Sequence, residues 1–490
     1  MNDAYLKLKD HYKALHLLQC GSSILGWDME TMMPPHAADE RASVIATLNA
    51  HIHEKATQSR VADLLDAAQV SDEWDVRNVQ IMKQNYALAS RVPEDLVFKI
   101  SALQNTTTYI WQEAKQVNDW KRVEASLTEL FAAQKQQAEI YADILGCNAY
   151  DAMLFQNARG NTQAVIDPLF AQLRQDLPPL IQRITAAQQN ISYKEFSIPE
   201  DIQKIIARDL AQHIGYDFNR GRLDTAAHPF SGGTSNDSRI TTRYNVNDPL
   251  TSLFGMMHEV GHALYSQSLP QEWNGQPVGG DNDLSLHESQ SLITERHGGL
   301  DERFIAFLYD FIVQRYPAFK TQGDAQDLQN SLRRVSPSFI RVDADEVTYP
   351  LHIVLRYEIE KRLFSGDIKI ADVPDLWNAS FKELLGLDVP DYKSGCMQDI
   401  HWFCGLFGYF PTYTQGALYA AQLFDAMKRD VPHLDAAFAA GDLTAFNNWL
   451  KQAVRQWGQR FDAPELIKRA TGVAPDAQYF ITHLQQRYLG

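Results

Sequence analysis

Residues 247–268 read Asn-Asp-Pro-Leu-Thr-Ser-Leu-Phe-Gly-Met-Met-His-Glu-Val-Gly-His-Ala-Leu-Tyr-Ser-Gln-Ser. Asn247-Asp248 ahead of Pro249 is a helix start: a short polar cap, then proline in the first helical position, where its missing N–H costs no hydrogen bond. From there Leu250, Phe254, Met257, Val260, Gly261 and Leu264 recur at helical spacing and predict a mostly buried helix. Inside it, His258-Glu259-Val260-Gly261-His262 spells HExxH. Residues four apart on a helix sit about 40° apart around the axis and roughly 6 Å apart along it. Two imidazoles so placed can hold one metal ion, while Glu259 points near the ion as a general base for its water. Two core histidines are the plainer alternative. Burying them with a glutamate and no partners is costly, however, and that favours the metal.

Working outward, helical periodicity dominates, near 2–20, 122–145, 163–189, 249–268, 284–298, 301–316, 416–429 and 476–488. Breaks occur at Pro34-Pro35, Ser231-Gly232-Gly233 and Gly279-Gly280-Asp281. No repeat or long linker divides the chain, so residues 1–490 are expected to form one large all-α catalytic unit. The exception is 239–244, Arg-Ile-Thr-Thr-Arg-Tyr, whose β-branched content predicts a short strand beside the motif helix. Such a strand is expected to offer an edge to which an extended peptide adds.

The formal net charge of −16, with no basic stripe, argues against nucleic acid as a partner. Phe304 to Val313, the longest strongly apolar stretch, is broken by Asp310 and too short to span a bilayer. Four scattered cysteines (Cys20, Cys147, Cys396 and Cys404) do not make a disulfide framework, and the N-terminus lacks an apolar signal core. A cytoplasmic protein free of membrane is the expectation.

A catalytic zinc takes three protein ligands and leaves a position open. Tyr265 and Ser268 stand where the extended HExxHxxGxxH pattern needs glycine and histidine, so the third ligand must come from elsewhere. His287-Glu288-Ser289-Gln290 opens the next helical stretch, and Glu288 is the expected ligand, with Glu295 its nearest rival. Further elements accompany these: Trp27-Asp28-Met29-Glu30-Thr31, His228-Pro229-Phe230, Asp237-Ser238-Arg239-Ile240-Thr241, Ile340-Arg341-Val342-Asp343-Ala344-Asp345 and Gly395-Cys396-Met397-Gln398-Asp399-Ile400-His401-Trp402. In content and order they resemble the carboxypeptidase Taq family of metallocarboxypeptidases. The chain departs from the family's Trp-Glu-Asn-like run at Thr294-Glu295-Arg296, which puts any supporting role there in doubt.

The resemblance implies a helical fold around a deep groove, a homodimer, and removal of single C-terminal residues from peptides with broad specificity. Zinc on His258, His262 and Glu288 suits that chemistry, with cobalt or manganese as substitutes. It also implies a tyrosine from 408–413 as oxyanion donor; Tyr413 is favoured over Tyr409, and His401 is a second candidate. An exopeptidase needs a fixed cation for the substrate's α-carboxylate. Arg341 is the first candidate and Arg239 the second, although either can instead pair with Asp237, Asp343 or Asp345. His228 and Gln398 are expected to line the same cleft, and Asp399 to orient a ligand histidine. Cys396 and Cys404 read as small buried residues. The competing reading is a zinc oligopeptidase or dipeptidyl carboxypeptidase.

Overall fold

The structure, a computed structural model, describes residues 1–490. It is all-α apart from a three-stranded sheet. Ten elements place the site: α1 (Asp3–Thr31), β1 (Leu223–Thr225), β2 (Ser231–Thr234), β3 (Asp237–Thr242), α2 (Pro249–Gln267), α3 (Leu284–Leu292), a π-helix (Ile293–Gly299), α4 (Tyr349–Ser365), α5 (Pro411–Asp430) and α6 (Gln478–Leu489). No helix is long and apolar enough to cross a membrane.

Local chemistry explains most of these boundaries. Asp248 caps α2, its carboxylate accepting from the Thr251 N–H at 3.2 Å, with Pro249 next. Asp283 caps α3 through the Leu286 N–H at 2.9 Å. Two helices run beyond the expected limits. α1 continues past Gly21 to Thr31 because the helix Ala38–Ala56 packs along it. α5 starts at Pro411 rather than 416, which puts Tyr413 in its first turn. The expected 284–298 helix is two elements, since the backbone widens into a π-helix at Ile293.

Two large apolar cores share α5. Leu418 and Ala421 enter one, built with Gln163–Ala187, α4 and Val373–Leu385. Tyr419, Ala420 and Leu423 enter the other, built with α2 and Glu302–Arg315. The cleft draws walls from both, with Phe480 from the first and Phe254 and Leu300 from the second.

The expected strand forms, but β3 is no edge. It is the central strand, parallel to β1 (Leu223 opposite Ile240) and antiparallel to β2 (Ser231 opposite Ile240). Both sides of its ladder are therefore occupied, and no peptide can add there. The edges are β1 and β2. Trp27 of α1 seals this region: it packs on Phe230 with ring centroids 4.8 Å apart and donates to Asp224 at 2.9 Å.

Candidate active site and metal centre

His258 and His262 project from one face of α2, and α3 crosses behind them carrying Glu288. The crossing is close because two glycines permit it. A methyl on Gly261, the fourth residue of HExxH, would lie 2.5 Å from Gln290 O and 2.6 Å from Ser291 Cα. One on Gly416 of α5 would lie 2.6 Å from Cγ of Glu288 itself. Gly416→Ala is therefore expected to push the Glu288 carboxylate out of place. Overpacking of this kind typically costs about 1–3 kcal/mol. A lower melting temperature with metal affinity reduced about tenfold is the expected result, read by calorimetry and metal titration; unchanged affinity would show that the packing does not set the ligand.

The three donors converge. Glu288 Oε2 lies 3.7 Å from His258 Nε2 and 3.6 Å from His262 Nε2. These ligand atoms all fall within 4.8 Å of one another. Two imidazoles and a carboxylate in this arrangement suit a divalent transition cation, with room for a further ligand. Electrostatics agree. Burial pulls the His258 imidazole down, but Glu288, Glu295 and Glu259 outweigh it and push it up to about 10. Burial and the neighbouring His287 and His258 rings push His262 well down instead, which leaves that imidazole neutral and able to offer a lone pair to a cation.

Each histidine is held by its other nitrogen. His258 Nδ1 lies 2.8 Å from Glu295 Oε2. His262 Nδ1 lies 2.5 Å from His287 Nδ1, whose ring continues toward Asp281 at 3.9 Å. Glu295 therefore meets the other nitrogen of His258 and leaves Nε2 facing Glu288, so this segment does contact the motif histidine. Glu295→Gln is expected to weaken metal binding about 10- to 100-fold, as loss of such supporting carboxylates does. Competition with a chelator measures it; equal affinity would dismiss the support. His287 has no role legible in the sequence, since nothing local shows that its ring meets that of His262.

Glu259 is buried, 6% exposed, and borders the same cleft. Burial, opposed by His258 and joined by Glu288, pushes its carboxyl up to about 7, and the Ser231 side chain of β2 favours the ionised form. The cleft, a cavity of about 950 Å³, is also lined by Arg341, Tyr349 and Tyr413.

Arg341 pairs with neither Asp343 nor Asp345. Its Nη2 and Nε donate to Asp399 at 2.9 and 3.2 Å, and Nη1 donates to the Tyr349 hydroxyl at 2.7 Å. Asp399 also accepts from Arg356 at 2.6 and 2.9 Å. It therefore holds two guanidinium groups and makes no contact with His258 or His262, contrary to expectation. The physical reason is charge: against the opposing effect of burial, the two arginines hold its carboxyl well below the usual range.

The other expected residues divide. Arg239 is locked by a bidentate pair with Asp237 at 2.7 and 2.8 Å and does not line the cavity. His228 is exposed and also outside the lining. Gln398 is absent from it as well: its amide accepts from Arg341 N at 2.9 Å and donates to Phe339 O and Ser394 O, so it fixes the loop that presents Arg341. His401 stands behind Tyr413, its Nε2 3.4 Å from the hydroxyl, and burial keeps it neutral by pushing it down to about 4. Tyr409 packs on Tyr413 at 5.5 Å between centroids without bordering the cavity. Cys396 is buried and Cys404 half-buried, both unpaired.

Comparison with known proteins finds relatives that match this chain almost end to end. The model of the family described as carboxypeptidase Taq (M32) metallopeptidase matches residues 7–488. The chain is 35% identical to thermostable carboxypeptidase 1 of Thermus thermophilus, over 99% of this chain and 98% of that protein. It is 34% identical to carboxypeptidase 1 of Bacillus subtilis, over 95% and 94%. The solved structure of Trypanosoma cruzi metallocarboxypeptidase 1 superposes with a TM-score of 0.95 at 33% identity, covering 99% of both chains.

Proposed function

Because the chain belongs to the carboxypeptidase Taq family of metallopeptidases and is a metallocarboxypeptidase, we propose that it removes single C-terminal residues from peptides with broad side-chain tolerance, residues 1–490 acting as one catalytic unit. The observation that carries this reading is the convergence of His258 Nε2, His262 Nε2 and Glu288 Oε2 in a cleft shared with Glu259, Arg341 and Tyr413.

In this reading His258, His262 and Glu288 hold the cation, with zinc the native ion and cobalt or manganese able to substitute. A cation held there would supply Lewis acidity toward water and the scissile carbonyl. Glu259 takes the proton of the attacking water and returns it to the leaving amine. Its buried carboxyl, raised toward neutrality, suits a group that must both accept and release a proton. Tyr413 donates its hydroxyl hydrogen to the oxygen on which negative charge develops. His401, neutral and behind that hydroxyl, steadies its orientation. Arg341 binds the substrate's α-carboxylate through N–H groups that Asp399 and Tyr349 leave unused.

A cytoplasmic location is supported by four cysteines that the fold leaves unpaired. The homodimer rests on family membership, and mass in solution checks it.

The decisive experiment pairs metal analysis of the purified protein with a mass-spectrometric time course on a free-acid peptide and its C-terminal amide. Stepwise loss of single residues from the free acid, with the amide spared, is the expected outcome. Release of dipeptides, or internal cleavage of both substrates, would instead establish the dipeptidyl or oligopeptidase reading.

A further inference from the structure

Among the cations of the cleft wall that the hydrolytic reading leaves without a task, Arg296 stands beside the ligand cluster. Arg296 follows Glu295 in the π-helix and lines the same cavity as His258, Glu259 and Glu288. Its Nε lies 2.9 Å from Glu295 Oε1, while Glu295 Oε2 contacts His258 Nδ1 at 2.8 Å. A single carboxylate thus separates this guanidinium from the ligand imidazole and holds it in place. Glu295 is its only carboxylate contact, and the side chain is 29% exposed. Its Nη1 and Nη2 groups make no hydrogen bond to the protein and are not fully enclosed, and the residue borders the cleft.

Two further carboxylates act on Arg296 from a distance, Glu346 and, more weakly, Asp345, and Glu346 is already saturated. It accepts from Arg487 at 3.0 and 3.2 Å, from the Tyr488 hydroxyl at 3.0 Å, and lies 3.1 Å from His483 Nε2. Glu295 in turn divides its charge between an imidazole and the guanidinium. The Nη face of Arg296 therefore keeps both the charge and the geometry to take a further anion. Arg243 and Arg334 border the cavity too, and their positive charge stands against the acidic groups of the same lining, Glu195, Asp248 and Asp343 among them. A guanidinium held by one edge, with its other nitrogens free, is the arrangement that recognises carboxylates in paired fashion.

We propose that Arg296 anchors a subsite for an acidic side chain, aspartate or glutamate, of the peptide substrate. This rests on the peptidase reading and refines it: general tolerance in trimming carries a superimposed preference for acidic residues at one position near the cleaved bond. Arg296 would act as a specificity determinant, distinct from Arg341, which takes the backbone carboxylate.

The test uses metal-loaded full-length protein and matched peptides carrying Glu or Gln at the last, second-last or third-last position. The wild-type kcat/KM is expected to favour Glu over Gln about tenfold at one of these positions, the size of a single charged hydrogen bond. Arg296→Gln should erase that ratio and Arg296→Lys should restore part of it. Binding of the same peptides to the Glu259→Gln variant, followed by calorimetry, should give the same ratio without hydrolysis. Equal kcat/KM for Glu and Gln at all three positions would overturn the proposal. So would an Arg296→Gln variant that slows both peptides alike, which would mean Arg296 only steadies Glu295. Trimming of the Gln peptides by wild type establishes the peptidase reading separately, so a missing preference counts against Arg296 alone.

Discussion

Glu259→Gln is expected to retain its divalent cation and to lose turnover by about 100- to 10,000-fold, the range that general acid–base catalysis contributes. The substitution keeps shape and volume, which matters because Glu259 is 6% exposed and truncation would open a cavity beneath the cleft. The three donors at His258, His262 and Glu288 are untouched, as are the partners Glu295 and His287 that orient the imidazoles. Only the ability to accept a proton disappears. Metal content measured beside kcat separates the two roles. Full turnover in a metal-loaded variant would remove Glu259 from the base position, whereas loss of metal would move it into the ligand set.

Arg341→Met should lower kcat/KM for free-acid peptides by about 100-fold, within the range for removing one partner of a buried charged contact. Discrimination between a free acid and its amide should collapse with it. The fold is expected to tolerate the change. Asp399 would keep two hydrogen bonds from Arg356, at 2.6 and 2.9 Å, so no carboxylate is stranded in the interior. That is the circumstance in which breaking a buried ion pair is least damaging. Methionine also replaces the aliphatic stem, limiting the void. Rates on both peptides, with a melting curve, decide it. If the free-acid rate is unchanged, the carboxylate lies elsewhere, and Arg296 or Arg334 becomes the candidate.

These expectations rest on contacts of unequal visibility. The motif helix, its Asp248 cap, Pro249 and the i, i+4 imidazole pair were readable because each depends on neighbours within one or two turns. The limits of α1 and α5 were harder, since Gly21 and the 408–413 segment look like breaks until packed neighbours hold them helical. β3 was predicted as a strand, but its central place in the sheet could not be, because order is decided by which strands pair across it.

The side-chain network separates along the same line. From residue order alone came the ligand types, the candidate base and the family, because spacing along a helix translates directly into direction in space. Only the folded chain could show Glu295 reaching His258 across 37 residues, or Asp399 joining Arg341 to Arg356 rather than serving a ligand histidine. Nor could order alone show Gly416 pressed against Glu288. Those partnerships are set by how helices cross, and crossing depends on the fit of whole surfaces. The sequence by itself therefore determined the chemistry available to this protein. The tertiary structure decided which groups hold the ligands in place and which cations remain free to meet a substrate.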